Sequence, residues 1–107
     1  MKAKPLMYRQ GDVLLREVKA IPESAKKQKQ KDRIVLAYGE VTGHAHAIEE
    51  WSKVDVFVAP EGQLYLRVKE ETSLRHEEHG AITLPPASFE RVIQREYSPE
   101  AIRNVAD

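Results

Sequence analysis

The stretch 54-VDVFVAPEGQLYLRV-68 contains two apolar runs of strand length on either side of a short segment with proline and glycine. The runs Val54–Val58 and Leu64–Val68 are rich in β-branched and aromatic residues, which favour extended backbone. Two such runs around a Pro/Gly loop are typical of a β-hairpin.

Further runs of strand length flank the central hairpin on both sides. A second hairpin is predicted from Ser73–His76 and Ala81–Leu84, with its tip at residues 77–80. The other predicted strands are Val13–Val18, Arg33–Tyr38, His44–Glu49 and Phe89–Tyr97. The lysine-rich stretch Ala25–Lys31 has no apolar periodicity and is predicted to be a surface loop. Ser98-Pro99-Glu100 has the pattern of a helix start, which predicts a short helix over Ala101–Ala106.

These elements predict a mostly β protein, a small β-barrel or sandwich of about seven or eight short strands with one short C-terminal helix. The length of 107 residues fits a single domain, 1–107. A sheet this small has exposed edge strands, which favour pairing into a homodimer.

The composition excludes several classes of function. Seventeen basic residues balance seventeen acidic ones, so the chain lacks the positive charge that binding to long nucleic acid requires. It has no cysteine, which excludes disulfides, thiolate metal sites and cysteine nucleophiles. No apolar run approaches the roughly 20 residues that span a membrane, and no secretory signal is evident. We therefore expect a cytoplasmic protein.

The four histidines fall into two short pairs, His44 with His46 and His76 with His79. Residues two apart on a strand point to the same face, so His44 and His46 would lie side by side. His76 and His79 flank the tip of the second predicted hairpin, where a turn can bring them together. If one pair folds onto the other, four imidazoles form a patch beside the nearby glutamates, which are Glu49, Glu50, Glu77 and Glu78.

Two kinds of chemistry suit such a patch. Imidazoles can exchange protons near neutral pH, and two histidines in opposite protonation states can act as general base and general acid. Attack of a ribose 2′-hydroxyl on its neighbouring phosphate needs this arrangement and no metal. Alternatively, neutral imidazoles with a carboxylate can bind zinc, nickel or iron. A third interpretation is that the histidines are surface residues of a non-catalytic interaction module.

Arginines and tyrosines supply candidate substrate-binding groups. Arg9 and Arg95 are predicted to neutralise phosphate, with Arg33 and Arg75 as further candidates. Tyr8 and Tyr97 could stack on a base, or could pack as half-buried aromatic residues.

Two resemblances to known families bear on these alternatives. The spacing His44-x-His46-x-x-x-Glu50 resembles part of the first cupin motif over seven residues. This resemblance implies a double-stranded β-helix in which histidines and a glutamate hold a metal.

A wider pattern spans nearly the whole chain. Its marks are Arg9-Gln10-Gly11-Asp12, residues 39–46, His76-Glu77-Glu78-His79-Gly80 with Leu84-Pro85-Pro86, Arg95-Glu96-Tyr97 and Ala106-Asp107. This pattern resembles short bacterial and phage proteins similar to ring nucleases, which are phosphodiesterases that cleave cyclic oligoadenylate messengers in antiviral defence. The resemblance implies a compact β dimer, metal-independent histidine chemistry and a small cyclic or short oligonucleotide as substrate.

Overall fold

The computed structural model describes residues 5–38, 44–77 and 79–93. In this part of the chain it contains ten β-strands and one short 3-10 helix, Trp51–Lys53. The strands are Met7–Gln10 (β1), Val13–Glu17 (β2), Lys26–Gln28 (β3), Ile34–Tyr38 (β4), Ala45–Ile48 (β5), Val54–Val58 (β6), Leu64–Val68 (β7), Thr72–Leu74 (β8), Ile82–Leu84 (β9) and Ala87–Ile93 (β10). The protein is mostly β, as the sequence predicts.

The central hairpin forms as predicted, with β6 and β7 at the predicted bounds. Val56 pairs with Leu66 at the middle of its antiparallel register. The turn is closed by two backbone hydrogen bonds, from Ala59 N to Gln63 O (2.8 Å) and from Gly62 N to Ala59 O (2.9 Å). Gly62 has a φ of 91°, which glycine adopts without the steric cost of a side chain. The Pro/Gly segment therefore sets the register of the hairpin.

The hairpin lies within a six-stranded antiparallel sheet of order β1-β2-β10-β7-β6-β3. The remaining four strands form two antiparallel pairs, β4 with β5 and β8 with β9. An isolated bridge between Ala47 and Arg75 joins these pairs through reciprocal backbone hydrogen bonds of 2.8 and 2.9 Å. This bridge holds β8 beside β5.

One hydrophobic core joins the six-stranded sheet to the two smaller strand pairs. Phe89, Leu66 and Leu15 contribute from the large sheet, and Ile48 and Leu84 contribute from the smaller pairs. All five side chains are fully buried. The arrangement agrees with the sandwich alternative, because β1 and β3 are the two edges of the large sheet and the described strands do not close it into a barrel.

Two of the ten strands were not predicted, which corrects the estimate of seven or eight. β1 precedes the Gly11-Asp12 turn and pairs with β2. β3 lies inside the stretch predicted to be a loop, and its three residues, Lys26–Gln28, are all exposed. An edge strand that pairs on one side, here with β6, needs no apolar face, so a period-two search does not find it.

The predicted second hairpin forms as β8 and β9, with slightly shorter strands. The last described strand, β10, begins two residues before the predicted start at Phe89. The remainder of that predicted strand and the predicted helix Ala101–Ala106 lie outside the described residues.

The packing predicts a large difference between two leucine truncations. Leu66 is 0% exposed, whereas Leu6 is 39% exposed. Leu66→Ala should lower the free energy of unfolding by about 2–5 kcal/mol, because it removes apolar contacts and leaves a cavity. Leu6→Ala should change it by less than about 1 kcal/mol. Urea denaturation of both variants checks this, and equal losses would show that Leu66 is not part of the core.

Candidate functional site

The four histidines come together within one chain. The ring centres of His46 and His76 are 4.3 Å apart, and those of His76 and His79 are 4.7 Å apart. His44 lies 5.7 Å from His76, and His46 lies 5.8 Å from His79 with nearly parallel rings at 17°. These four residues are called the histidine cluster below. The two sequence pairs therefore meet without a second subunit.

Local structure explains how the pairs meet. His46 lies in β5 and His44 immediately precedes this strand, so the two side chains share the face that also carries the buried Ile48. His76 and His79 lie in the connection from β8 to β9. Because the Ala47–Arg75 bridge holds β8 beside β5, this connection lies against the start of β5.

A buried glutamine fixes the orientation of His46. The side-chain amide nitrogen of Gln10, Nε2, donates to two backbone carbonyls, Leu74 O (3.0 Å) and Gly80 O (2.9 Å). The amide oxygen Oε1 therefore faces His46 Nδ1, 2.8 Å away. The opposite amide orientation would place its N–H groups on the ring and its oxygen against two carbonyl oxygens. His46 Nδ1 thus carries the hydrogen and donates it, which leaves the lone pair of the neutral ring on Nε2.

The surroundings of His46 keep its ring neutral. Its side chain is almost wholly buried, and burial lowers the pKa of His46 below its ordinary value. The neighbouring imidazoles of His76 and His79 lower this pKa further, because two adjacent positive charges repel. Asp12 and Glu77 act in the opposite direction. Asp12 Oδ1 is 3.5 Å from His46 Nε2 and would pair with the ring if it became charged.

Glu77 is the glutamate that joins the cluster. Its Oε2 accepts a hydrogen bond from Ala45 N at 3.0 Å. This bond, its own backbone N–H and the neighbouring His44 and His76 lower the pKa of Glu77 and keep it ionised. The other candidate glutamates have different surroundings: Glu49 pairs with Arg33 at 3.9 Å, Glu50 contacts Lys53 and Thr72, and Glu78 lies outside the described residues.

Gly11 approaches the histidine cluster closely. Its φ is +59°, and a Cβ at this position would come within 2.9 Å of His79 Nε2 and 3.2 Å of His46 Cε1. A side chain here would therefore be strained in its backbone and would displace at least one imidazole. The β1–β2 turn needs glycine at this place to lie against both rings.

The predicted substrate-binding residues have different locations. Arg9 alternates with Gln10 along β1, and its Nε donates to the backbone oxygen of Gly11 in the β1–β2 turn at 3.0 Å. Tyr8 packs edge-on against Phe89, with ring centres 5.8 Å apart, and so contributes to the core. Tyr8 is therefore a core residue, and Arg9 lies at the β1–β2 turn. Arg95 and Tyr97 lie outside the described residues.

The cluster is not arranged as a metal site as it stands. In residues 5–38, 44–77 and 79–93, no group of three or more His, Asp or Glu side chains is placed to hold a metal ion. Chelation of one ion by three or more of these side chains would need an arrangement different from the one described.

Sequence reasoning missed three residues of the site, Gln10, Gly11 and Asp12. They form the polar turn of the first hairpin and are 32 or more residues from the nearest histidine in the sequence, His44. The resemblance pattern included this turn, but no local feature connected it with the histidines.

Fold and site together define a small mostly-β domain with a cluster of four histidines, of which His46 is buried and His79 is exposed. A family model described as a domain of unknown function (DUF8820) matches residues 9–94. The chain belongs to this family, and the matched range contains all four histidines and the Gln10 turn. Neither the curated proteins nor the solved structures contain a match to the chain.

The described part of the chain contains no helix long and apolar enough to cross a membrane.

The lowered pKa of His46 predicts that acid destabilises the fold. Above the ordinary pKa of 6.5 the ring is neutral in both states, and stability does not depend on its titration. Below 6.5 the unfolded chain binds a proton first, so the free energy of unfolding falls until the folded state also takes up the proton. Urea denaturation at pH 7.5 and 5.5 should show a smaller acid-induced loss for His46→Gln than for the wild type. An equal loss would mean that His46 titrates normally in the folded protein.

Alanine substitutions at Gly11 and Gly62 test whether Gly11 lies against the imidazoles of His46 and His79. Both have positive φ, but a Cβ at Gly62 would meet nothing within 4 Å. Gly11→Ala and Gly62→Ala should each destabilise the fold by about 1 kcal/mol through backbone strain. Only Gly11→Ala should shift the imidazole proton resonances of His46 and His79 in an NMR spectrum. Unchanged histidine resonances in Gly11→Ala would contradict the packing described here.

Proposed function

We propose that this protein is a metal-independent phosphodiesterase that uses the histidine cluster to cleave cyclic oligoadenylates or other short RNA-like oligonucleotides. The observation that carries the proposal is the hydrogen bond from His46 Nδ1 to Gln10, which leaves a neutral ring with its lone pair on Nε2. A neutral imidazole of defined tautomer is what a general base requires at neutral pH.

The reaction needs a second imidazole as acid, and His79 is the best placed. It is exposed, and its ring is nearly parallel to that of His46 at a centre-to-centre distance of 5.8 Å. A ring nitrogen of each imidazole could therefore contact a different oxygen of one phosphate. His76 is less suitable as the partner of His46, because at 4.3 Å the two rings are in contact and leave no room for phosphate between them.

The proposed step conserves atoms and charge. His46 Nε2 takes the proton of a ribose 2′-hydroxyl, and that oxygen forms a bond to the adjacent phosphorus. The bond from phosphorus to the 5′-oxygen breaks, and the leaving oxygen takes a proton from His79. The products are a 2′,3′-cyclic phosphate and a 5′-hydroxyl, and the two imidazoles have exchanged protonation states. Glu77, which is ionised beside His44 and His76, would stabilise positive charge in the cluster.

Metal binding is a second candidate, favoured by the spacing of the rings. Imidazoles bound to one tetrahedral zinc at about 2.0–2.1 Å have ring centres about 5 Å apart. The observed separations of 4.3–5.8 Å bracket this value. The Gln10 hydrogen bond would also orient His46 as a ligand through Nε2. The rings would have to turn first, since no described group is placed to hold an ion.

The homodimer and the cytoplasmic location expected from the sequence belong to this proposal. β1 is one edge of the six-stranded sheet, and an edge strand can pair with a second copy of the chain. Antiviral defence is the setting that the ring-nuclease resemblance implies.

The proposal predicts cleavage in the absence of metal. Tag-free protein incubated with a panel of cyclic oligoadenylates in excess EDTA should yield linear products ending in a 2′,3′-cyclic phosphate, separated by chromatography. His46→Ala should lower the rate at least about 10²-fold, because it removes the base. Gln10→Leu should lower the rate less and alter its pH profile, whereas Gln63→Leu, an exposed control, should retain wild-type turnover.

Two results would overturn the proposal. One is an uncut panel, and the other is wild-type turnover by His46→Ala. Metal analysis of the same sample then distinguishes the alternatives: stoichiometric zinc, nickel or iron lost in His46→Ala indicates a metal-binding domain, and its absence indicates an interaction module.

A further inference from the structure

A groove of about 610 Å³ lies beside β3 and the 3-10 helix. Its volume is in the range of small-molecule binding sites. Its charged and aromatic lining residues are Lys27, Lys29, Lys31, Lys69, Trp51 and Asp55. They are called the lysine groove below. None of them belongs to the histidine cluster.

The lysine groove is strongly positive although the chain as a whole has no net charge. Four lysines and one aspartate line it, which leaves an excess of three positive charges. Asp55 is mostly buried, with its side chain 14% exposed, and is shared by Lys27 at 3.4 Å and Lys69 at 3.3 Å. This carboxylate holds two ammonium groups at the wall of the groove but neutralises only one of them. The groove therefore attracts anions.

An aromatic side chain lies beside these charges. Trp51 is 38% exposed and lines the groove. An exposed indole next to ammonium groups is the combination by which proteins bind single-stranded nucleic acid, since bases stack on the ring and phosphates meet the cations.

We propose that the lysine groove binds a short single-stranded oligonucleotide, with a base stacked on Trp51 and phosphates on Lys29, Lys31 and the Lys27–Lys69 pair. Lysines on an edge strand also prevent strand pairing between molecules, but that role does not require an exposed tryptophan among them. The site takes a few nucleotides, which agrees with a chain that lacks the overall positive charge for long nucleic acid.

This inference is independent of the proposed function. A DNA oligonucleotide has no 2′-hydroxyl and cannot undergo the proposed cleavage, so binding and turnover are measured separately. Failure of cleavage leaves the binding result intact, and failure of binding leaves the cleavage result intact.

The test is a titration of the protein with pentadeoxyadenylate, followed by tryptophan emission. Trp51 is the only tryptophan in the chain, so its emission reports on the groove directly. Saturable quenching is expected, with log K falling against log salt with a slope of about −2 for three phosphate contacts. Labelled oligonucleotide anisotropy should show that Trp51→Ala binds about tenfold more weakly.

Matched charge variants decide whether the groove is the site. Lys29→Gln/Lys31→Gln removes two charges from the groove, and Lys19→Gln/Lys26→Gln removes two exposed charges that do not line it. The first pair should weaken binding about tenfold and flatten the salt slope by about 1.4, and the second should have little effect. Equal weakening by both pairs, equal binding of a glutamate pentapeptide labelled with the same dye, or no quenching would overturn the proposal.

Discussion

The buried amide of Gln10 must satisfy both its donors and its acceptor, and its three hydrogen bonds connect the parts of the molecule that build the site. Its nitrogen donates to Leu74 at the end of β8 and to Gly80 in the β8–β9 connection, and its oxygen accepts from His46 in β5. One side chain on the edge strand β1 thus holds together the turn, the β8–β9 connection and His46. Because these partners are backbone carbonyls and a buried imidazole, replacing the amide would leave polar groups unsatisfied inside the protein, which is costly.

Crowding of imidazoles has a direct chemical consequence. Rings 4–6 Å apart repel one another when charged, and together with burial this repulsion lowers the pKa of His46. The two carboxylates at its margin, Asp12 and Glu77, act against this effect. Neighbouring groups that raise and lower the pKa of one side chain are characteristic of sites that transfer protons. A histidine that stays neutral is also the form that binds a metal. The tautomer set by Gln10 serves either chemistry.

The chain keeps two polar regions apart on one small scaffold. The histidine cluster lies at the β1–β2 turn and the β8–β9 connection, whereas the lysine groove lies along β3 and the 3-10 helix. Both depend on strands that the sequence did not predict, β1 and β3, which form the two edges of the large sheet. Edge strands are the places where a sheet can present polar side chains without loss of core, so the functional candidates of this protein lie at its edges.

The sequence by itself determined the mostly β class, the existence of both hairpins and the bounds of β6 and β7, because alternation and turn chemistry are local properties of the chain. It also identified the four histidines as the candidate site. The tertiary structure decided that the two pairs meet in one chain, that Gln10 orients His46 and that Arg9 bonds to the β1–β2 turn. Gln10 is 36 residues from His46 and 64 from Leu74, and hydrogen bonds over such separations depend on how strands pair and layers pack. No local pattern in the sequence records those contacts.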